Sequence, residues 1–216
     1  MTIRTTSLLV LCLALAAVPS VAGVLYDNGP KGPDADAWNV SQGFVVSDTF
    51  TLLAASTVNG FSFNAWLIPG DTQVSAELSI RTQPNGGTSF FDQFMNFTQS
   101  NCTTNAYGYS VCAETASFNG PHLAAGTYWI NLQNASIPNG DPVLWDENSG
   151  FGCDSPGCPS QAYSNTHGIT YGTIPSESFT IYGNGSTTGT TPEPSAILLV
   201  GSGILGLIGV FRRGLL

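Results

Sequence analysis

The chain has 216 residues, only 9% of them charged, and its five Lys and Arg stand against fourteen Asp and Glu for a net charge of −9. Nucleic-acid binding relies on clustered cations that neutralise phosphates; between the two termini only Lys31 and Arg81 are cationic, which excludes a nucleic-acid partner. So little charge beside 25 Gly and 11% aromatics points to one turn-rich β domain of the cell exterior. At the N-terminus, Arg4 precedes an apolar run from Leu8 to Val18, which is closed by small residues at Ser20 and Ala22. A cation, a short apolar region and small residues before the cut are the three parts of a secretory signal peptide. Eleven helical residues are too short for a bilayer core of about 30 Å. Cleavage is expected after Ala22, leaving 1–22 as the signal.

The exported domain is expected over 23–183, and its pattern is strand and turn throughout. Gly43 to Leu53 and Thr57 to Ile68 are rich in β-branched and aromatic residues. In the second run Val58, Phe61, Phe63, Ala65 and Leu67 nearly alternate, with one slip at Asn59-Gly60 that suggests a bulge. Val74 to Thr82 alternates cleanly, with Val74, Ala76, Leu78 and Ile80 on one face. Thr127 to Asn134 does the same with Tyr128, Ile130 and Leu132. Pro142 to Asp146, a piece around Ile169 to Tyr171 and Ser178 to Tyr182 complete the set. Pro-Asn-Gly-Gly at 84–87 and Pro-Asn-Gly at 138–140 supply the positive φ that turns require. Eight to ten short strands without a helical period predict an all-β sandwich, jelly-roll-like in its connections.

Four cysteines remain after signal removal: Cys102, Cys112, Cys153 and Cys158. An even number in an exported domain reads as disulfides. Of the three pairings, Cys102–Cys112 with Cys153–Cys158 is expected, because each pair brackets a turn-rich loop. A zinc site does not fit these spacings, and His122 and His167 lie far apart in the sequence, each in a turn. Asp27-Asn28 and Asp34-Ala-Asp36 offer oxygens to Ca²⁺, but no Ca²⁺-binding repeat accompanies them, and no metal or cofactor is expected.

Catalytic patterns are missing as well. There is no Gly-x-Ser-x-Gly elbow, and no phosphate loop with its Lys and following helix. Asp146 and Glu147 flank Trp145 at a strand end, where a sugar site could form. Adjacent strand residues point to opposite faces, so the two acids make a poor catalytic pair. The expectation is a protein that is not an enzyme.

Asn184 to Thr191 reads as a flexible polar linker. Beyond it come Pro192-Glu193-Pro194, an uncharged run from Ser195 to Phe211, and Arg212-Arg213. Seventeen residues reach about 25 Å as a helix, the lower limit for a transmembrane span. Two arginines directly after it form a stop-transfer signal. The tripeptide, the Gly-punctuated run 195–211 and the basic pair resemble, in order and spacing, a PEP-CTERM sorting tail. The resemblance covers roughly Thr191 to Leu216; one departure is a basic cluster of only two arginines followed by Gly-Leu-Leu.

Such tails belong to exported proteins of Gram-negative bacteria that also make extracellular polysaccharide. The resemblance implies recognition of Pro192-Glu193-Pro194 by an exosortase, a membrane-embedded transpeptidase-like enzyme that processes the chain near the motif. It implies a transient inner-membrane anchor over 192–216, then the cell surface or extracellular matrix. The function expected is that of a non-enzymatic surface or matrix protein linked to exopolysaccharide or biofilm. The alternatives are an exported carbohydrate-binding module and a glycan-active enzyme.

Overall fold

The computed structural model describes residues 22–31, 36–148, 160–164 and 169–185. The strands among them form two sheets. The eight-stranded sheet runs β1 (Gly23–Asp27), β14 (Phe179–Gly185), β4 (Ser56–Leu67), β11 (Leu144–Asp146) and β2 (Ala37–Asn39). On the other edge of β4 lie β8 (Ser110–Ser117) and β9 (His122–Leu123), with β7 (Thr98–Thr104) beyond β8. The six-stranded sheet runs β13 (Ile169–Ile174), β12 (Ser160–Ser164), β3 (Phe44–Leu52), β10 (Gly126–Ser136), β5 (Ser75–Gln83) and β6 (Gly86–Asn96). Every pairing between these strands is antiparallel. Two antiparallel sheets with one shared apolar core make an all-β, sandwich-type domain.

Period-two alternation builds that core. Val58, Phe61, Phe63, Ala65 and Leu67 of β4 are buried, as are Ala76, Leu78 and Ile80 of β5 and Ile130 and Leu132 of β10. Ile130 lies opposite Ile80 and Leu132 opposite Leu78, so like faces meet across the pair. The slip in β4 is a β-bulge: Tyr182 pairs with Gly60 and Gly183 with Val58, leaving Asn59 as the extra residue. Both turn signals hold. Asn85 has φ 45° between β5 and β6, Gly87 has φ 70° at the start of β6, and Gly140 has φ 83° after Pro138-Asn139.

Several strands depart from expectation. β6, β7 and β8 fall outside the predicted strands, since β6 and β7 expose most of their side chains and carry no continuous apolar face. β14 runs to Gly185, over the first two residues of the stretch read as linker, because Asn184 pairs with Thr57 and Gly185 with Ser56. The segment up to residue 21 and the tail from residue 186 lie outside the described residues. Among those described, no helix is long and apolar enough to cross a membrane.

Candidate functional site

Of the residues singled out from the sequence, Asp34, Pro192, Glu193, Pro194, Arg212, Arg213, Cys153, Cys158 and His167 lie outside the described residues. Cys102 and Cys112 form a disulfide, with an S–S distance of 2.07 Å and Cα atoms 4.0 Å apart. It crosses from β7 to β8 at a second bulge. Ser100 pairs with Ala113 and Thr103 with Val111, so Asn101 and Cys102 together face Cys112, and Asn101 takes φ 51° to allow it. The hairpin is closed by the Asn105 side chain, whose Oδ1 accepts from the amides of Tyr107 and Tyr109 at 3.1 and 3.0 Å. Lys31 Nζ donates to Asn101 O, Thr103 Oγ1 and Val111 O and so seats on the same bulge. Beside it Tyr107, 65% exposed, stacks on Trp66 with ring centroids 5.6 Å apart.

Trp145 is fully buried, edge-on to Phe61, Phe63 and Phe179, and its Nε1 donates to Ser178 O at 3.0 Å. It is a core residue. Asp146 accepts from Trp66 Nε1 and from Ser178 Oγ, whereas Glu147 accepts from Trp38 Nε1 at 2.8 Å. The two acids have separate partner sets, as alternation along a strand requires. His122 is exposed, its Nδ1 3.1 Å from Thr57 Oγ1. Among the described residues no three His, Cys, Asp or Glu side chains are placed to hold a metal ion. A cleft of about 510 Å³ between the ends of β5, β6 and β10, lined by Ser75, Asn96, Phe97 and Ile137, has no titratable side chain on its walls.

The densest polar chemistry lies where the segment before β14 meets β3 and β11. Asp48, in mid β3, is wholly buried and points inward between Val46 and Phe50. Its Oδ2 accepts from Asn28 Nδ2 at 3.2 Å, Ser176 Oγ at 2.8 Å and the Glu177 amide at 2.8 Å, and its Oδ1 accepts from the Thr49 amide at 2.6 Å. Asn28 also donates to Glu177 O at 2.6 Å, accepts from Tyr26 OH at 2.8 Å, and receives Asn148 Nδ2 on its carbonyl at 2.6 Å. Glu177 is wholly buried, and neither carboxyl oxygen has a hydrogen-bond partner. Burial first, then the charges of Asp48, Glu147, Asp146 and Asp36, hold its pKa well above the usual carboxylate range. Burial, with Asp48 and Asp27, pushes Tyr26 up to about 12. A second buried acid, Glu114 of β8, is raised from 4.5 to about 7 by burial, which Gln99 of the adjacent strand partly offsets.

Sequence reasoning missed Asp48, Glu114 and Glu177, although a signal existed. Each falls in step with apolar or small core positions: Val46 and Phe50, Cys112 and Ala116, Phe179 and Ile181. An acid at a core-facing position of a period-two pattern marks a buried polar site. Comparison with protein-family models finds no match to this chain, and a search of curated proteins finds none either.

Proposed function

We propose that the chain is an exported, non-catalytic β-sandwich protein, carried through the inner membrane by its N-terminal signal and then handed to an exosortase by its C-terminal tail. The observation that carries this reading is the ordered triple Pro192-Glu193-Pro194, apolar run 195–211, Arg212-Arg213. Two prolines hold φ near −65° and donate no backbone hydrogen bond, which suits an extended recognition motif set ahead of an apolar run. Glu193 is the sole charge between Glu177 and Arg212, a distinct handle on a neutral background. The Cys102–Cys112 disulfide supports an oxidising compartment. The jelly-roll-like connections and the domain's release to surface or matrix belong to the same reading.

The test is Glu193→Ala in the native host. Export and membrane insertion should persist while tail removal stops, so a full-length chain accumulates in the membrane fraction by mass spectrometry. Identical trimming of wild type and variant would reduce the motif to a helix boundary. A second reading, carbohydrate binding, is favoured by the exposed Tyr107 ring backed by Trp66, an aromatic face of the kind sugars stack on. Retention of the full chain on the host's exopolysaccharide separates the two.

A further inference from the structure

We propose that the acidic junction of Asp48, Glu147 and Glu177 is a proton-dependent latch: Glu177 carries a proton in the closed sandwich, and losing it loosens the segment before β14 from β3 and β11. The latch does not depend on where the chain resides.

The first ground is solvation. Glu177 is wholly buried and no donor reaches either carboxyl oxygen. An ionised carboxylate in that position forfeits its hydration with nothing in return, which costs several kcal/mol. Its neighbours differ. Asp48 receives four donors, Asp146 receives Trp66 Nε1 and Ser178 Oγ, and Glu147 receives Trp38 Nε1. The charges of Asp48, Glu147, Asp146 and Asp36 repel a further negative charge at Glu177.

The second ground is the supply of cations. Between the termini the chain has only Lys31 and Arg81. Lys31 is bound to the β7–β8 bulge, and Arg81 is ion-paired with Asp92 on the adjacent strand. Among the described residues the groups facing Glu177 are Asp48 from β3, Asp146 from β11, Glu147 just after it and Asp36 before β2. Tyr26 of β1 joins through Asn28. None is cationic. With no three acids placed to hold a metal ion among the described residues, a proton is the compensating charge that fits.

The third ground is what the junction holds. The Glu177 amide and Ser176 Oγ bind Asp48, the Asn148 amide binds Ser176 O at 2.9 Å, and the Ser178 amide binds Asp146 O at 2.8 Å. Ionising Glu177 therefore sets a charge against the carboxylate that anchors its own backbone. A carboxyl whose folded pKa is raised contributes stability that is complete below its ordinary value and is lost as pH rises.

The test is the thermal midpoint of the full chain between about pH 5 and about pH 8.5, for wild type, Glu177→Gln and Glu114→Gln. Glutamine keeps the shape of the neutral, protonated acid and cannot ionise. Wild type should lose about 5 °C or more across the range. Glu114→Gln should remove part of that slope, and Glu177→Gln should lie above wild type at the alkaline end. A Glu177→Gln curve that tracks wild type overturns the latch. Should the variant fail to fold, carbon-13 NMR of the wild-type glutamate carboxyls decides: titration of Glu177 alongside the surface carboxylates near pH 4 overturns it too. A parallel arm adds millimolar calcium chloride at the alkaline end. If calcium raises the wild-type midpoint and leaves Glu177→Gln unmoved, the junction is a cation site and the proton latch is wrong.

Discussion

Glu114 occupies a core-facing position of β8 directly opposite Phe63, and it is wholly buried. Burial disfavours its charged form and lifts it from 4.5 to about 7. Because the folded state holds the proton more tightly than the unfolded one, folding is favoured below about 4.5, and that contribution fades as pH rises through about 7. Most proteins show the opposite trend, since hydrogen-bonded carboxylates lose stabilising charge in acid. Glu114→Gln should therefore flatten the curve between these limits and resist urea better than wild type near pH 8. Urea midpoints at pH 5 and pH 8 measure it, and a variant as pH-dependent as wild type would refute the assignment.

At the scale of elements, the β7–β8 hairpin depends on its disulfide more than other pairs depend on theirs. β7 is an edge strand with six of its seven residues exposed, so little apolar area holds it to β8. Cys102 and Cys112 lie ten residues apart, and closing so short a loop limits the unfolded chain by about 2.5 kcal/mol on the loop-entropy account. Replacing both by alanine should lower stability by about that amount, with hydrogen exchange rising first in 98–117 and little change in β3 or β10. The strands legible in the sequence were β3, β4, β5 and β10, each with an apolar face on period two, and the shorter β11, β13 and β14, together with the bulge at Asn59. β8 was illegible because its inward face reads Cys112, Glu114, Ala116, which carries no apolar signature. β6 was illegible because its exposed side chains include Phe90 and Phe94, which blur the alternation. The acidic junction was half legible. Asp146 and Glu147 stood out as a strand-end pair, but only long-range pairing brings Asp48 and Glu177 to them, over separations that no local pattern encodes.

For the domain as a whole, the eight-stranded sheet is closed by its first and last described strands. The first strand, β1, pairs with the last described one, β14, so the eight-stranded sheet is complete only when residues near 180 reach those near 25. Phe179 sits at that closure, 1% exposed, with ring centroids 5.7 Å from Tyr26, 6.1 Å from Phe61 and 5.7 Å from Trp145. Tyr26 in turn contacts Phe50 of the opposite sheet at 6.3 Å, and Phe50 contacts Tyr128 at 5.7 Å. An unbroken run of rings thus joins the two sheets, and each ring pair adds to the area it buries. Phe179→Ala leaves a cavity at the middle of that run and should cost about 3–5 kcal/mol, whereas Phe179→Leu, closer in volume, should cost much less. Because the rings couple the sheets, the loss should be shared. Amides of β3 and β10 should lose as much exchange protection as those of β4 and β14, and unfolding should remain one transition by every probe. If protection falls in β4 and β14 while β3 and β10 keep theirs, the sheets unfold separately and the ring contacts do not couple them.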